Sequence, residues 1–191
     1  MTEALEAGFA DPVRDAQRCF RAVLDAMARP GRIAHVSGVT APPPLGTAAG
    51  AVALTLLDHE TKLWLDPAAA RARDWLQFHC GTPLVLDPAA CGFALALSLP
   101  DLDRLHAGTH EEPETAATII CQVASLETGT AYRLSGPGLK EPALLRVRGL
   151  PADFAARWRR NHALFPRGID LILCADDQLT ALPRTVSIEE P

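Results

Sequence analysis

Residues 161–174, NHALFPRGIDLILC, constrain the fold of this chain more than any other stretch. A Pro-Arg-Gly turn hands Asp170 to the apolar run Leu-Ile-Leu-Cys, directly after a helix-patterned segment carrying Arg157, Arg159 and Arg160. An unbroken apolar strand is what a sheet covered on both faces requires, and helix–turn–strand is the punctuation of an α/β domain. Turns that set charge at a strand entrance are where such domains keep specific contacts. Asp170 must be paired or hydrogen-bonded if it is buried. Arg184, in the Leu-Pro-Arg-Thr segment 182–185, or nearby backbone N–H groups are the simplest partners. Gly168 permits a sharp approach, while Pro166 and Pro183 stiffen the two segments that lead into the junction.

The rest of the chain alternates in the same way. Asp11-Pro12 opens a helix in which Phe20, Val23, Leu24 and Met27 recur at helical spacing, and Pro30-Gly31 stops it. Residues 33–36 predict a short strand, followed by a Pro-rich loop at 41–44. A helix is expected over 47–57. Its almost wholly apolar composition demands cover on several sides, in the core or at a subunit contact. LWLDPAA at 63–69 and LVLDPAA at 84–90 each read as a strand running into an Asp cap, and between them Ala72, Trp75, Leu76 and His79 share a helix face. Further strands are expected at 92–97, 143–147, 169–174, 179–182 and 185–188, with a helix over 151–160. Strands at 118–126 and 131–134 are joined by Glu127-Thr128-Gly129, a hairpin signal. The expected fold is a single α/β domain over residues 1–191: a mixed β-sheet flanked by helices, with hairpins near the C-terminus ruling out a purely parallel arrangement.

The 191 residues are 48% hydrophobic, enough for a large core, but only 5% aromatic, so Leu, Val and Ala must fill it. A formal charge of −5 with mixed signs argues against broad nucleic-acid binding, which needs a basic face. Cys19, Cys80, Cys91, Cys121 and Cys174 are odd in number, widely spaced and without CxxC, which predicts reduced and mostly buried thiols. The acidic opening MTEALEAGF does not have the pattern of a leader, and no apolar run reaches the roughly 18 residues of a membrane helix. A cytoplasmic protein is expected, with neither membrane nor nucleic acid as partner.

Catalytic motifs are missing: there is no GK[ST] phosphate loop, strand-to-helix GxGxxG, GxSxG or HExxH. SGPGLK at 135–140 resembles an anion nest only superficially, because Pro137 removes a donor, and a structural turn is the preferred reading. His106 and His110 stand four apart, but Gly108 and Pro113 break the helix that would align them, so no metal site is expected. The arginines remain. Arg167 and Arg184 are the candidates for binding a ligand or partner, since a guanidinium fork suits phosphate or carboxylate. Asp170, Gly168 and Pro166 form the structural junction around them, and no catalytic residue is assigned.

The segments FADPVRDAQRCFRAVLDAMARPGRI (9–33), AATIICQVASL (116–126), LSGPGL (134–139), HALFPRGIDLIL (162–173) and LPRT (182–185) together resemble the PhnH family of the bacterial carbon–phosphorus lyase system. One departure is that Ala163-Leu164 separate His162 from Phe165-Pro166, where the family has a tighter His-Pro-Phe-Pro run; this takes weight off His162. The resemblance implies an accessory, non-catalytic subunit of the core complex for phosphonate breakdown. That complex supports formation of ribose 1-methylphosphonate 5-triphosphate from ATP and methylphosphonate, ahead of cleavage by a radical S-adenosylmethionine subunit. It also implies a fold like that of the pyridoxal-phosphate-dependent transferases without the cofactor. Lys62 and Lys140, the only lysines, are not in a setting suited to a Schiff base. A homodimer in isolation and contact with the radical subunit in the complex are expected. The self-associating surface is either the 47–57 helix or the Phe20/Val23/Met27 stripe. The alternative is a stand-alone enzyme or a binding protein for a small phosphorylated ligand.

Overall fold

The computed structural model describes residues 6–190; residues 1–5, part of the acidic opening, and Pro191 lie outside the described residues. Asp11 accepts from Arg14 N and so caps α1 (Pro12–Ala28), with proline at its start. The chain then forms β1 (Ala34–His35) and α2 (Thr47–Leu56). The two LDPAA echoes behave as expected: Asp66 after β2 (Leu63–Leu65) and Asp87 after β3 (Leu84–Val85) accept from Ala68 N and Ala89 N, each starting a 3₁₀ turn. Helix α3 (Arg73–Cys80) joins these strands and ends at Gly81, whose φ of 67° is the left-handed conformation of a helix stop. After β4 (Phe93–Ala96) come β5 (Thr118–Gln122), β6 (Ser125–Ser135), β7 (Ala143–Arg148) and α4 (Phe154–His162). The chain closes with β8 (Asp170–Ala175), β9 (Gln178–Leu182) and β10 (Ser187–Glu189).

A seven-stranded mixed sheet runs β1-β9-β8-β5-β4-β2-β3; its members from β3 to β8 are parallel, and β9 and β1 are added antiparallel. A second, three-stranded antiparallel sheet, β10-β6-β7, lies apart from it in pairing. Successive residues of β5 and β8 enter two different cores. Ile119, Cys121, Leu171 and Leu173 face the small sheet and α4, whereas Ile120, Ile172 and Cys174 face α1, α2 and α3. This double cover explains the continuous apolar runs. The sequence expectation of a mixed sheet flanked by helices therefore holds, with one large face closed by strands as well.

The expected hairpin at 127–129 is not a turn. The chain leaves the large sheet after β5 and continues as one long strand, β6, whose pairing with β7 shifts register between Ser125 and Thr130. Gly129 sits in that irregularity at φ 106°, where an added Cβ would stand 2.4 Å from Val147 O. The Glu-Thr-Gly signal marks an irregularity within the strand, where residues 126–129 of β6 have no partners on β7 and glycine takes the same conformation as in a turn.

Helix α2 is covered as its composition demanded: Ala48, Gly50, Ala51, Val52 and Ala53 are buried against α1, α3 and the sheet. The core takes up most of its apolar surface, leaving Leu54 and Leu56 half-buried. Gly50 lets it close in, since a Cβ there would lie 2.5 Å from the Ala41 Cβ. Gly50→Ala should therefore destabilise the fold by about 1–3 kcal/mol, although helix propensity alone favours alanine by about 1 kcal/mol. Chemical denaturation checks the sign; a stabilised variant would show that the loop at 41–44 yields freely.

Candidate functional site

The junction at the entrance of β8 is built from the end of α4, the turn after it and the β9–β10 connection. Trp158 on α4 is fully buried and donates from Nε1 to Val186 O at 2.7 Å, tying the helix to the segment before β10. Its ring packs near Phe154, which meets Tyr132 of the small sheet edge-on at 5.2 Å. One turn on, buried Asn161 brackets the incoming strand: Ile169 N donates to its Oδ1 at 2.7 Å and its Nδ2 donates to Ile169 O at 2.9 Å. Gly168 takes φ 125° beneath it and donates to Ala107 O at 2.8 Å. A Cβ at Gly168 would sit 3.1 Å from Asn161 O and 3.4 Å from the Arg184 Cβ, so the crossing needs glycine.

Asp170 then meets Arg184 as the sequence suggested. Both carboxylate oxygens accept from the guanidinium: Nε lies 3.1 Å from each, and Nη2 bonds Oδ2. The Arg184 backbone N also donates to Oδ1 at 2.8 Å. The two side chains are only 20% and 13% exposed, which makes this a partly desolvated, bidentate pair. Arg184 Nη1 donates to Pro113 O at 2.6 Å. The 110–114 loop, read as solvent-exposed, is thus anchored through Pro113 while Glu111, Glu112 and Glu114 face solvent. His162 Nδ1–H donates to Arg184 O at 2.9 Å. The wider spacing noted in the sequence does not displace His162 from the junction, because a helical turn brings it over the arginine backbone.

Arg167 behaves differently. Its backbone N closes the turn to Leu164 O at 3.0 Å after the cis Phe165-Pro166 bond. Its side chain is half-buried, and Nε is a buried donor with no partner among the described residues. The junction therefore joins Asp170, Gly168 and Arg184 and leaves Arg167 beside them, outside the ion pair. On α4, Arg157 pairs with Asp153 at 2.9 Å and Arg160 lies 3.8 Å from Asp103, which makes this face a solvated ion-pair surface. The Arg157 contact holds the exposed Asp153 carboxyl below its usual range.

The other candidates are structural. His106 Nε2 bonds Thr115 Oγ1 at 3.2 Å, and an added Cβ at Gly138 in SGPGLK would stand 2.2 Å from Ala28 O, so that loop packs on the end of α1. The cysteines are unpaired, as expected; burial pushes the Cys121 thiol up to about 12 and Cys80 to about 11, and both are protonated at neutral pH. Lys62 and Lys140 are exposed. A cleft of about 660 Å³ between the start of α4 and β10 is lined by Asp153, Arg159, Glu189 and Glu190. Another of about 280 Å³, at the ends of β2 and β3, is lined by Trp64, Val85, Leu86 and Arg73. Neither includes a junction residue.

Sequence reasoning missed a feature at the carboxyl ends of β5 and β8, the place where open α/β sheets bind ligands. There Gln122 Oε1 accepts from Gly46 N at 2.7 Å and its Nε2 donates to Pro44 O at 2.9 Å. Asp176 O accepts from Ala48 N at 2.7 Å. The crevice is filled by the chain's own Pro-rich loop and the first turn of α2. A lone glutamine ending an apolar strand was the available signal.

A three-stranded sheet, a seven-stranded sheet and a self-filled crevice define an α/β protein whose junction side chains bond one another and the backbone. The sequence matches the family described as bacterial phosphonate metabolism protein (PhnH) over residues 7–189. This chain belongs to the PhnH family. It is 42% identical over 194 aligned positions to the alpha-D-ribose 1-methylphosphonate 5-triphosphate synthase subunit PhnH of Rhizobium meliloti (strain 1021), covering 98% of this chain and 97% of that protein. It is 32% identical over 180 positions to the putative C-P lyase subunit protein HtxG of Stutzerimonas stutzeri, covering 90% of this chain and 85% of that one.

Truncating one member of the junction pair leaves the other charge buried. Asp170→Ala should cost about 3–5 kcal/mol in chemical denaturation, whereas Arg167→Ala should cost no more than about 1 kcal/mol, since it breaks no side-chain bond. Equal stability of Asp170→Ala and parent would mean that the pair is replaced by water.

Proposed function

We propose that this chain is an accessory, non-catalytic subunit of the carbon–phosphorus lyase core complex, supporting formation of ribose 1-methylphosphonate 5-triphosphate from ATP and methylphosphonate. The observation that carries this reading is the match along nearly the whole chain to a relative named as a subunit of that synthase. The geometry agrees with it. The junction's polar groups are spent on each other and on backbone, and the crevice at the strand ends is filled from within. Chemistry instead needs groups converging on a reacting atom. No described helix is long and apolar enough to cross a membrane, and the proposed setting is the cytoplasm.

Within that role the chain acts as one folding unit over residues 1–191, forms a homodimer in isolation and touches the radical S-adenosylmethionine subunit in the complex. A single cooperative unfolding transition is the mark of the one-unit reading. Arg167, half-exposed beside the turn and outside the ion pair, offers a guanidinium to a partner carboxylate or an anion. The pyridoxal-phosphate transferase likeness belongs to the same reading, as a scaffold without the cofactor.

Affinity purification of the tagged chain from phosphate-starved cells should bring down the other core subunits, and its deletion should abolish growth on methylphosphonate. Recovery of the chain alone, with growth unaffected, would sink the subunit role. Titration with pyridoxal phosphate should give no stoichiometric imine absorbance; one that disappears on replacing Lys62 or Lys140 would overturn the cofactor-free scaffold.

A further inference from the structure

Helix α1 gives one face to the core and leaves another bare. Cys19, Val23 and Ala26 are buried beneath it, but Val13, Phe20 and Leu24 are 80%, 50% and 58% exposed. Their spacing of seven and four residues sets them within roughly 40° of arc, in single file along the helix. Scattered surface apolar residues need no explanation, whereas a row does. The row has the heptad form of an unpaired seam: Val13, Phe20 and half-buried Met27 alternate with Gln17 and Leu24.

One flank of this seam is basic. Arg14 and Arg18 are well exposed, and Arg21, also exposed, has no ion-pair partner among the described residues. Arg14 and Arg18 are held only by exposed contacts of 3.7 Å to Asp11 and 3.4 Å to Asp15, which are weak in water, so three solvent-facing guanidiniums edge the seam on a chain whose formal charge is −5. The helix's own acids are committed. Asp11 accepts from Arg14 N and lies 3.7 Å from its Nε, Asp15 accepts from Asp11 N and from Arg18 Nη1, and Asp25 is taken by Arg29 and Arg32. Two copies of α1 laid together would bring these arginines to a facing helix that has no free carboxylate to receive them. Charges flanking an apolar seam decide which partner is accepted and which is refused.

We propose that α1 is the docking seam for an amphipathic helix of another subunit, one whose apolar face is edged with Asp and Glu. The incoming helix lies along Val13, Gln17, Phe20 and Leu24, with its carboxylates on Arg14, Arg18 and Arg21. This inference rests on the reading of the chain as a complex subunit. Phe20 is the anchor, because large aromatics at the centre of such contacts carry most of the binding energy.

The test is co-expression with the other core subunits, one of them tagged, and measurement of how much of this chain is recovered. Phe20→Ser/Leu24→Ser and Arg14→Glu/Arg21→Glu are compared with the parent, with thermal unfolding of each isolated chain as the control. Both double variants should keep the parent melting temperature, since exposed substitutions are nearly neutral, yet be recovered about tenfold less well or worse. The parent complex should release the chain as NaCl rises from about 0.05 M to about 0.5 M, because screening weakens the flanking ion pairs. Normal recovery of the Phe20/Leu24 variant overturns the inference while leaving the subunit role intact. Normal recovery of the Arg14/Arg21 variant with no salt dependence overturns the acidic partner. Loss of self-association alone, with incorporation unchanged, makes the seam a contact between copies of this chain instead. If the parent itself is not recovered with any core subunit, the subunit reading and this inference fall together.

Discussion

The structure is organised around the requirement that β5 and β8 be dry on both sides. Ile119, Ile120, Leu171 and Ile172 are all at 0% exposure, so each face of this strand pair needs its own cover. One face is closed by α1, α2 and α3, the other by α4 and the small sheet. Burial of large aliphatic side chains stabilises by about 1.5–3 kcal/mol each, and the peripheral elements are placed to collect it. The long departure of β6 and β7 from the main sheet follows from this. Their inward residues Leu134, Leu145 and Val147 join Ile119 and Leu171 in one core, and the register shift at 126–129 lies between the start of β6 and this part of the sheet.

What the sequence revealed and what it hid divide along the same line. Features governed by local chemistry were legible: the Asp11, Asp66 and Asp87 caps, the apolar runs of the central strands, and the pairing of Asp170 with Arg184. The last was readable because an acid that opens a buried strand leaves few alternatives. Features set by distant pieces were not legible. Glu-Thr-Gly has the same local preferences in a hairpin as in an irregularity within a strand, and only the register of a strand nearly twenty residues away decides between them. The 47–57 segment was known to need cover, yet its composition is equal for a core helix and an interface helix. Conversely, the stripe on α1 was read as one face, whereas Val23 went to the core and Phe20 and Leu24 to the surface. Asn161 and Gln122 escaped notice because an isolated amide is informative only once both of its ends have partners.

The junction at β8 and the seam on α1 divide the demands on a subunit between them. At the junction, Arg184 ties β8, the 110–114 loop and the approach to β10 into one block through short bonds. The seam has no such network and depends on apolar surface and loosely held charge. A rigid internal clasp with an adaptable external face is the division expected of a part that must be folded before it is assembled.

The loop and helix turn that fill the mouth of the sheet have a consequence for how such a molecule can change. Gly46 and Ala48 donate to Gln122 and Asp176, and the helix they begin is buried along most of its length. Emptying the mouth would mean drawing α2 out of the middle of its core, not swinging a lid. Rigidity there is inherited from the deepest packing in the chain. Any ligand or neighbour must therefore be met on the outer surface, and new specificity is open to this architecture through its rims while its interior stays fixed.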